Sequence, residues 1–129
     1  MATTGQRTVL VIEDDPWTRT ITTALLAGEG FAVVEAKNGE EGLKRAHEHA
    51  PDAVLLDLAL PTKSGLEVLR ELKSDISTMS IPVIVVSAYG SLMNEQDALQ
   101  AAGVIQKPFD YDDLVEQVER ATARTLVTA

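Results

Sequence analysis

Hydrophobic residues occur in short continuous runs along this chain, separated by longer segments of mixed polarity. Runs such as Val9 to Ile12 and Ala53 to Leu56 are rich in aliphatic and β-branched residues. Such runs are typical of strands buried on both faces of a sheet. The pattern predicts five strands, at residues 8–13, 31–36, 52–57, 83–87 and 103–106.

The segments between these strands predict helices. They begin after Asp15, lie around Leu43 and Ala46, span residues 65–73 and 94–102, and begin again at Asp110. Strict alternation of strands and helices predicts an α/β fold with a parallel sheet covered on both faces, because crossover connections are right-handed. We find no repeat, low-complexity tract or internal linker. The chain is therefore predicted to be one domain over residues 1–129, with its core at about 7–124.

The first helix has clear start signals and a candidate apolar face. Asp15 is expected to cap it, and Pro16 suits its first turn. We expect Asp15 to act as this cap and not as a member of the acidic site. The expected apolar face consists of Trp17, Ile21, Ala24 and Leu25. The tryptophan is expected in the core or at its rim, near the acidic end of the sheet.

Composition narrows the class of protein. The 129 residues include no cysteine, which excludes disulfides and thiolate metal sites and favours a reducing, cytoplasmic location. No apolar stretch approaches membrane-spanning length, so no membrane association is expected. The formal net charge of −9 argues against direct nucleic-acid binding by this domain, since phosphate contacts require Lys and Arg.

Charged and hydroxyl side chains follow the predicted strands where each strand ends. Glu13 and Asp14 follow the first strand, Asp57 ends the third, Ser87 the fourth, and Lys107 follows the fifth. Open α/β sheets bind ligands at this edge. Carboxylates placed this closely raise each other's pKa unless a cation neutralises them, and oxygen ligands favour Mg²⁺. The alternative, that each acid merely caps a strand end, explains one acid better than three.

Four motifs resemble those of the receiver (REC) domains of two-component response regulators. Residues 11–16 match the family's acidic pair, 55–61 its phosphoacceptor motif, 85–88 its hydroxyl motif and 106–109 its lysine motif. Any one of these is a weak signal, whereas four in the family's order are specific. The resemblance covers about residues 7–124. It implies a flavodoxin-like (βα)5 fold, a doubly wound parallel five-stranded sheet with strand order 2-1-3-4-5.

The resemblance also implies a phosphorylation site. Asp57 would be the phosphoacceptor, receiving a phosphoryl group from a phosphohistidine of a sensor histidine kinase or phosphotransfer protein. Asp14, Asp57 and the backbone carbonyl of Ala59 would bind Mg²⁺, with Glu13 acting through a metal-bound water. A carboxylate is a competent nucleophile toward phosphorus, and phosphoryl transfer depends mainly on positioning and charge neutralisation.

The remaining implied roles concern switching. Lys107 would pair with Asp57 at rest and with a phosphoryl oxygen afterwards, while Ser87 would move inward to donate to another phosphoryl oxygen. The Lys107–Pro108 bond resembles the family's cis-peptide site. A downstream protein would dock on the face formed by the fourth helix, fifth strand and fifth helix. The domain would not be an enzyme beyond its own phosphorylation and autodephosphorylation.

Two departures from the family pattern bear on mechanism, and one of them is the approach to the fifth strand at Ala101, Ala102 and Gly103, which is shorter than usual. Val104 occupies the position where many receivers carry Tyr or Phe, which excludes an aromatic switch there. Ala59 and Tyr89 would flank the path of the attacking water, and neither is expected to orient it, which predicts a long-lived aspartyl phosphate. In the alternative, Tyr89 points to solvent or into a partner interface. His47 and His49 do not share a helix face and are expected to be solvated.

Two other functions remain open. The chain could be the excised receiver of a longer transcription regulator or hybrid histidine kinase. It could also be a small Mg²⁺-dependent phosphatase on the same fold. That function is disfavoured because no cap domain is evident and Ala59 stands where a second acid is needed.

Overall fold

Strands and helices alternate along the chain in the computed structural model, which describes residues 5–88 and 93–123. The strands are β1 (Thr8–Ile12), β2 (Ala32–Ala36), β3 (Ala53–Asp57), β4 (Val83–Ser87) and β5 (Gly103–Gln106). The helices are α1 (Pro16–Gly28), α2 (Gly39–His49), α3 (Gly65–Ser74), α4 (Glu95–Gln100) and α5 (Tyr111–Thr122). No helix in the described part of the chain is long and apolar enough to span a bilayer.

The five strands form one parallel sheet in the order β2-β1-β3-β4-β5. This confirms the predicted doubly wound α/β fold and its strand order. Ile12 of β1 pairs with Ala36 of β2 and with Leu56 of β3. Because all strands are parallel, the residues that follow β1, β3 and β5 meet at one edge of the sheet.

Each strand sends alternate side chains into two separate apolar layers. On one face, Leu10, Ile12, Leu56 and Val85 pack with residues of α2 and α3. The opposite face packs against α1 and α5, and its buried residues are Val9, Val11, Leu26, Phe31, Leu55, Ile84, Val86, Ile105, Leu114 and Val118. Burial on both faces accounts for the continuous aliphatic runs in the sequence.

The buried stripe of α1 differs from the one predicted. Thr22 and Leu26 are buried, whereas Ala24 is exposed and the Trp17 side chain is 72% exposed. Leu26 packs in the same layer as Phe31, which sets the rotation of the helix. The hydropathy pattern was misleading because a threonine occupies the buried face and an aromatic residue lies outside it.

Helix α4 is also shorter than predicted. Asn94 is its N-cap rather than its first residue, and Ala101 is extended, with ψ of 141°. The Ala102 amide donates to the Val83 carbonyl at 2.7 Å, so the chain joins the sheet directly after the helix. At the start of α5, Asp110 is likewise the cap and not the first helical residue.

Candidate functional site

Three carboxylates meet where β1 and β3 end. Glu13, Asp14 and Asp57 each offer an oxygen atom, and these atoms all lie within 4.8 Å of one another. The Glu13 and Asp57 side chains are buried, whereas Asp14 is exposed to solvent. The cluster forms because β1 and β3 are neighbours and Glu13 and Asp14 directly follow β1.

Lys107 brings one positive charge to this cluster from the end of β5. Its Nζ lies 3.1 Å from Asp57 Oδ2 and 3.6 Å from Glu13 Oε1. The Lys107 amide donates to the Ser87 carbonyl at 2.8 Å, which fixes the base of the side chain. The Lys107–Pro108 peptide bond is cis, as predicted.

The second oxygen of Asp57 is bound by the loop that follows β3. Asp57 Oδ1 accepts a hydrogen bond from the Ala59 amide at 2.9 Å. Gly65 packs against the same segment, and a Cβ at this position would lie 2.4 Å from the Asp57 carbonyl oxygen. Only glycine allows this approach, so Gly65 keeps the loop close behind the carboxylate.

Burial and neighbouring charges change the protonation of the site. Burial and a hydrogen bond with Asp57 raise the pKa of Glu13 from 4.5 to about 7, against a smaller opposing effect of the Asp15 amide. Burial by itself lowers the pKa of Lys107, but attraction to Asp57 and Glu13 outweighs it and the pKa rises. Three acids and one lysine therefore leave an excess of negative charge that the side chains do not compensate.

The donor set fits a hard divalent cation. All three side chains offer carboxylate oxygens, which Mg²⁺ prefers, and few protein ligands leave room for the waters that Mg²⁺ retains. The solvent-exposed Asp14 provides an open side through which an ion can enter. A cation bound here would face two buried carboxylates, Glu13 and Asp57, with Lys107 as the neighbouring positive charge.

Ser87 ends β4 at the same edge of the sheet. The side chain is buried, and its hydroxyl donates to the Ala88 carbonyl at 3.1 Å. Tyr89, which was expected to flank the path of the attacking water, lies outside the described residues. Val104 lies on β5, an edge strand of the sheet, where it pairs with Val85 of β4. It is 43% exposed.

Asp15 and the two histidines are not members of the carboxylate cluster. Asp15 caps α1, as predicted, by accepting from the Thr18 amide at 2.8 Å, and bonds from Thr18 lower its pKa. His49 is exposed. His47 is also exposed, as predicted, and its Nε2 lies 3.4 Å from Asp75 Oδ2, on the loop after α3.

Arg19 contacts the site, although the sequence pattern does not predict it as a site residue. Its Nη1 donates to the Glu13 carbonyl at 2.7 Å, and its Nε donates to Glu35 Oε1 on β2 at 3.1 Å. One signal could have identified it: the arginine lies near the N-terminus of α1, where the helix dipole disfavours a cation unless acceptors compensate.

Comparisons with known proteins agree with this geometry. The sequence matches the response regulator receiver domain family over residues 9–119. It is 32% identical over 116 residues to the polar-differentiation response regulator DivK of Brucella anthropi, covering 88% of this chain and 94% of DivK. It is 36% identical over 123 residues to the transcriptional regulatory protein KdpE of Mycobacterium tuberculosis, covering 94% of this chain but 53% of KdpE.

A solved structure has the same fold. The receiver domain of the sensor histidine kinase PA1611 from Pseudomonas aeruginosa, which has magnesium coordinated in its active site cleft, superposes with a TM-score of 0.82. The two chains are 24% identical, and the match covers 93% of this chain and all of the other, 100%. The family match spans the carboxylate cluster, Asp57 and Lys107 together. The chain therefore belongs to the response regulator receiver domain family.

Proposed function

We propose that this receiver domain accepts a phosphoryl group on Asp57, in a Mg²⁺-dependent reaction, from a phosphohistidine on a sensor histidine kinase or phosphotransfer protein. The observation that carries the proposal is the Asp57 carboxylate, buried within a cluster of two further acids and bound by Lys107 at 3.1 Å. An acid with a purely structural role would not require two further carboxylates and a lysine around it. Burial of Glu13 and Asp57 beside a third carboxylate is costly unless a cation compensates their charge.

The chemistry requires one nucleophile and compensation of charge. An Asp57 carboxylate oxygen forms a bond to phosphorus, the bond between phosphorus and the donor's histidine nitrogen breaks, and that nitrogen keeps the electron pair and takes a proton. Asp14, Asp57 and the Ala59 carbonyl would hold Mg²⁺, with Glu13 acting through a water, and the bound ion would neutralise charge on the phosphoryl oxygens. The Ala59 amide, 2.9 Å from Asp57 Oδ1, fixes the plane of the carboxylate.

Lys107 and Ser87 respond to the product. In the unphosphorylated structure the Lys107 ammonium is bound to Asp57, so it exchanges one anionic partner for another when a phosphoryl oxygen appears. Ser87 must give up its bond to the Ala88 carbonyl in order to donate to the phosphoryl group. That exchange moves the end of β4 and is the proposed start of the conformational signal.

The output surface is the face of α4, β5 and α5. Each of the three elements has an exposed large apolar residue: Leu99 of α4 is 84% exposed, Val104 of β5 43% and Tyr111 of α5 37%. A partner protein that covered these residues would bury their apolar surface. We infer a downstream protein partner at this face, no direct nucleic-acid contact by this domain, and a cytoplasmic location. Beyond its own phosphorylation and dephosphorylation the domain would not be an enzyme.

A longer protein is the second candidate context. KdpE is almost twice as long as the segment matched here, so the same domain could control an attached output domain. A phosphatase acting on free phosphomonoesters has less support, because Ala59 stands two residues after Asp57 where a second acid would be needed. Release of phosphate from such a substrate would favour it.

The proposal is tested by intact-mass analysis after incubation with acetyl phosphate. We expect one phosphoryl adduct on the wild-type protein with Mg²⁺ and none with EDTA. Asp57→Asn keeps the size of the side chain but removes the nucleophile, so it should abolish the adduct. An adduct of equal yield in Asp57→Asn would contradict the proposal.

A further inference from the structure

Arg19 ties the turn that carries two of the acids to the neighbouring strand. We propose that it is a positioning residue, one that holds the Glu13–Asp15 turn in the geometry required for binding a divalent cation. The inference rests on the proposed function, since it concerns the same cation site. It assigns a role to a side chain that would touch neither the cation nor the phosphoryl group.

The contacts of Arg19 converge on the backbone of the turn. Its Nη1 donates to the Glu13 carbonyl at 2.7 Å and lies 3.4 Å from the Asp14 carbonyl. Both carbonyls belong to residues whose side chains are in the carboxylate cluster. The first bond is short and charge-assisted, a class stronger than a neutral hydrogen bond.

Glu35 anchors the other side of the guanidinium. Arg19 Nε lies 3.1 Å from Glu35 Oε1, and the arginine side chain is only 19% exposed. The guanidinium has a planar fork of donors, which allows it to bind the Glu13 carbonyl and the Glu35 carboxylate at once. Arg19 therefore joins α1, the turn after β1, and β2 through a single rigid group.

Two further hydrogen bonds fix other atoms of the turn. The Glu13 amide donates to the Ala36 carbonyl at 3.0 Å, and Glu13 Oε2 accepts from the Asp15 amide at 3.1 Å. Removing Arg19 would free one end of the Glu13–Asp14 peptide segment. Because the side chains of both residues would bind the cation, a small rotation of this segment misplaces two ligands together.

Positioning and simple electrostatics predict opposite results. Arg19 carries a positive charge near a cation site, so its charge alone would repel Mg²⁺, and removing it would tighten binding. If Arg19 acts mainly by orienting the turn, its removal weakens binding instead. Loss of a group that orients metal ligands typically costs on the order of tenfold or more in metal affinity.

The test is calorimetric titration of Mg²⁺ into wild-type protein, Arg19→Met, Arg19→Lys and Glu35→Gln, without a phosphodonor. We expect Arg19→Met to bind Mg²⁺ roughly tenfold more weakly. Arg19→Lys should recover part of the loss, because a lysine can reach one acceptor but lacks the fork. Glu35→Gln keeps the arginine charge and loosens its anchor, so it should also weaken binding.

A matched control separates this effect from net charge and from folding. Arg120→Met makes the same change in net charge near the end of α5, where Arg120 pairs only with the exposed Glu116 in the described part of the chain. It should leave Mg²⁺ affinity unchanged. Unfolding by urea in EDTA, run on every variant, gives the folded fraction to which each affinity refers.

The outcomes are distinct. Equal or tighter Mg²⁺ binding by folded Arg19→Met would overturn the positioning role while leaving the proposed function intact. Failure of the wild-type protein to bind Mg²⁺ would overturn both. Weaker binding in Arg19→Met, with Arg120→Met unchanged, would support the inference.

Discussion

Replacing Glu13 with Gln should change how stability depends on pH. In the absence of divalent cations, the buried Glu13 has its pKa raised from 4.5 to about 7. Between these values the unfolded chain releases the proton while the native protein retains it. The native state is therefore favoured at the acidic end of this window, and its stability falls as the pH rises through it. Above about pH 7 the loss is complete.

The size of the effect follows from the two pKa values. One pKa unit corresponds to about 1.4 kcal/mol. The interval from 4.5 to about 7 therefore corresponds to roughly 3 kcal/mol over the whole window, of which about 2 kcal/mol falls above pH 5.5. Glutamine has nearly the same size, can accept from the Asp15 amide, and does not ionise. Glu13→Gln should lack this loss and be the more stable protein at alkaline pH.

The assay is urea unfolding in EDTA at about pH 5.5 and about pH 8. Relative to wild type, Glu13→Gln should gain about 2 kcal/mol between the two conditions. Glu119→Gln, an exposed position on α5, makes the same chemical change and should follow wild type at both. If Glu13→Gln and wild type lose stability in parallel, burial and the neighbouring acid do not raise the pKa of Glu13, and the account of the site's charge is wrong.

Three further predictions concern charge and backbone geometry. Lys107→Ala should bind Mg²⁺ at least as tightly as wild type by titration calorimetry, because it removes a competing cation; markedly weaker binding would contradict this. Ala50→Gly should raise the free energy of unfolding in urea by about 1 kcal/mol, because Ala50 ends α2 with a φ of 42°, which favours glycine. Ala101→Gly, at a φ of −85°, should not raise it. Gly65→Ala should cost about 1–3 kcal/mol on the same assay because its Cβ would lie 2.4 Å from a β3 carbonyl, whereas Gly28→Ala, with open space around it, should be tolerated.

The sheet could be predicted from the sequence because its strands are buried on both faces. Such strands are continuous aliphatic runs, and β4 and β5 have the predicted bounds. The buried faces and ends of the helices were harder to predict. In α1 the buried position Thr22 is polar and the exposed position Trp17 is aromatic, so the hydropathy pattern pointed to the wrong face. Where α4 ends depends on the hydrogen bond from Ala102 to Val83, a contact between distant parts of the chain.

The candidate site was predictable to the extent that it lies at strand ends. Glu13, Asp57 and Lys107 follow or end strands, and the topology alone brings such residues together. Arg19 could not be placed in the same way, because its acceptors are a backbone carbonyl and a residue of another strand. Long polar side chains find partners that no local pattern encodes. The contact between His47 and Asp75 on the loop after α3 could not be predicted for the same reason.

The most direct test of the account is to locate the phosphoryl group chemically. Borohydride reduces an aspartyl phosphate to homoserine, which marks the acceptor residue in peptide mass spectrometry. After phosphorylation with acetyl phosphate and Mg²⁺, the account predicts homoserine at position 57 and no conversion at Asp14. Homoserine at position 14, or a phosphoryl group that resists reduction and maps to a hydroxyl residue, would contradict it.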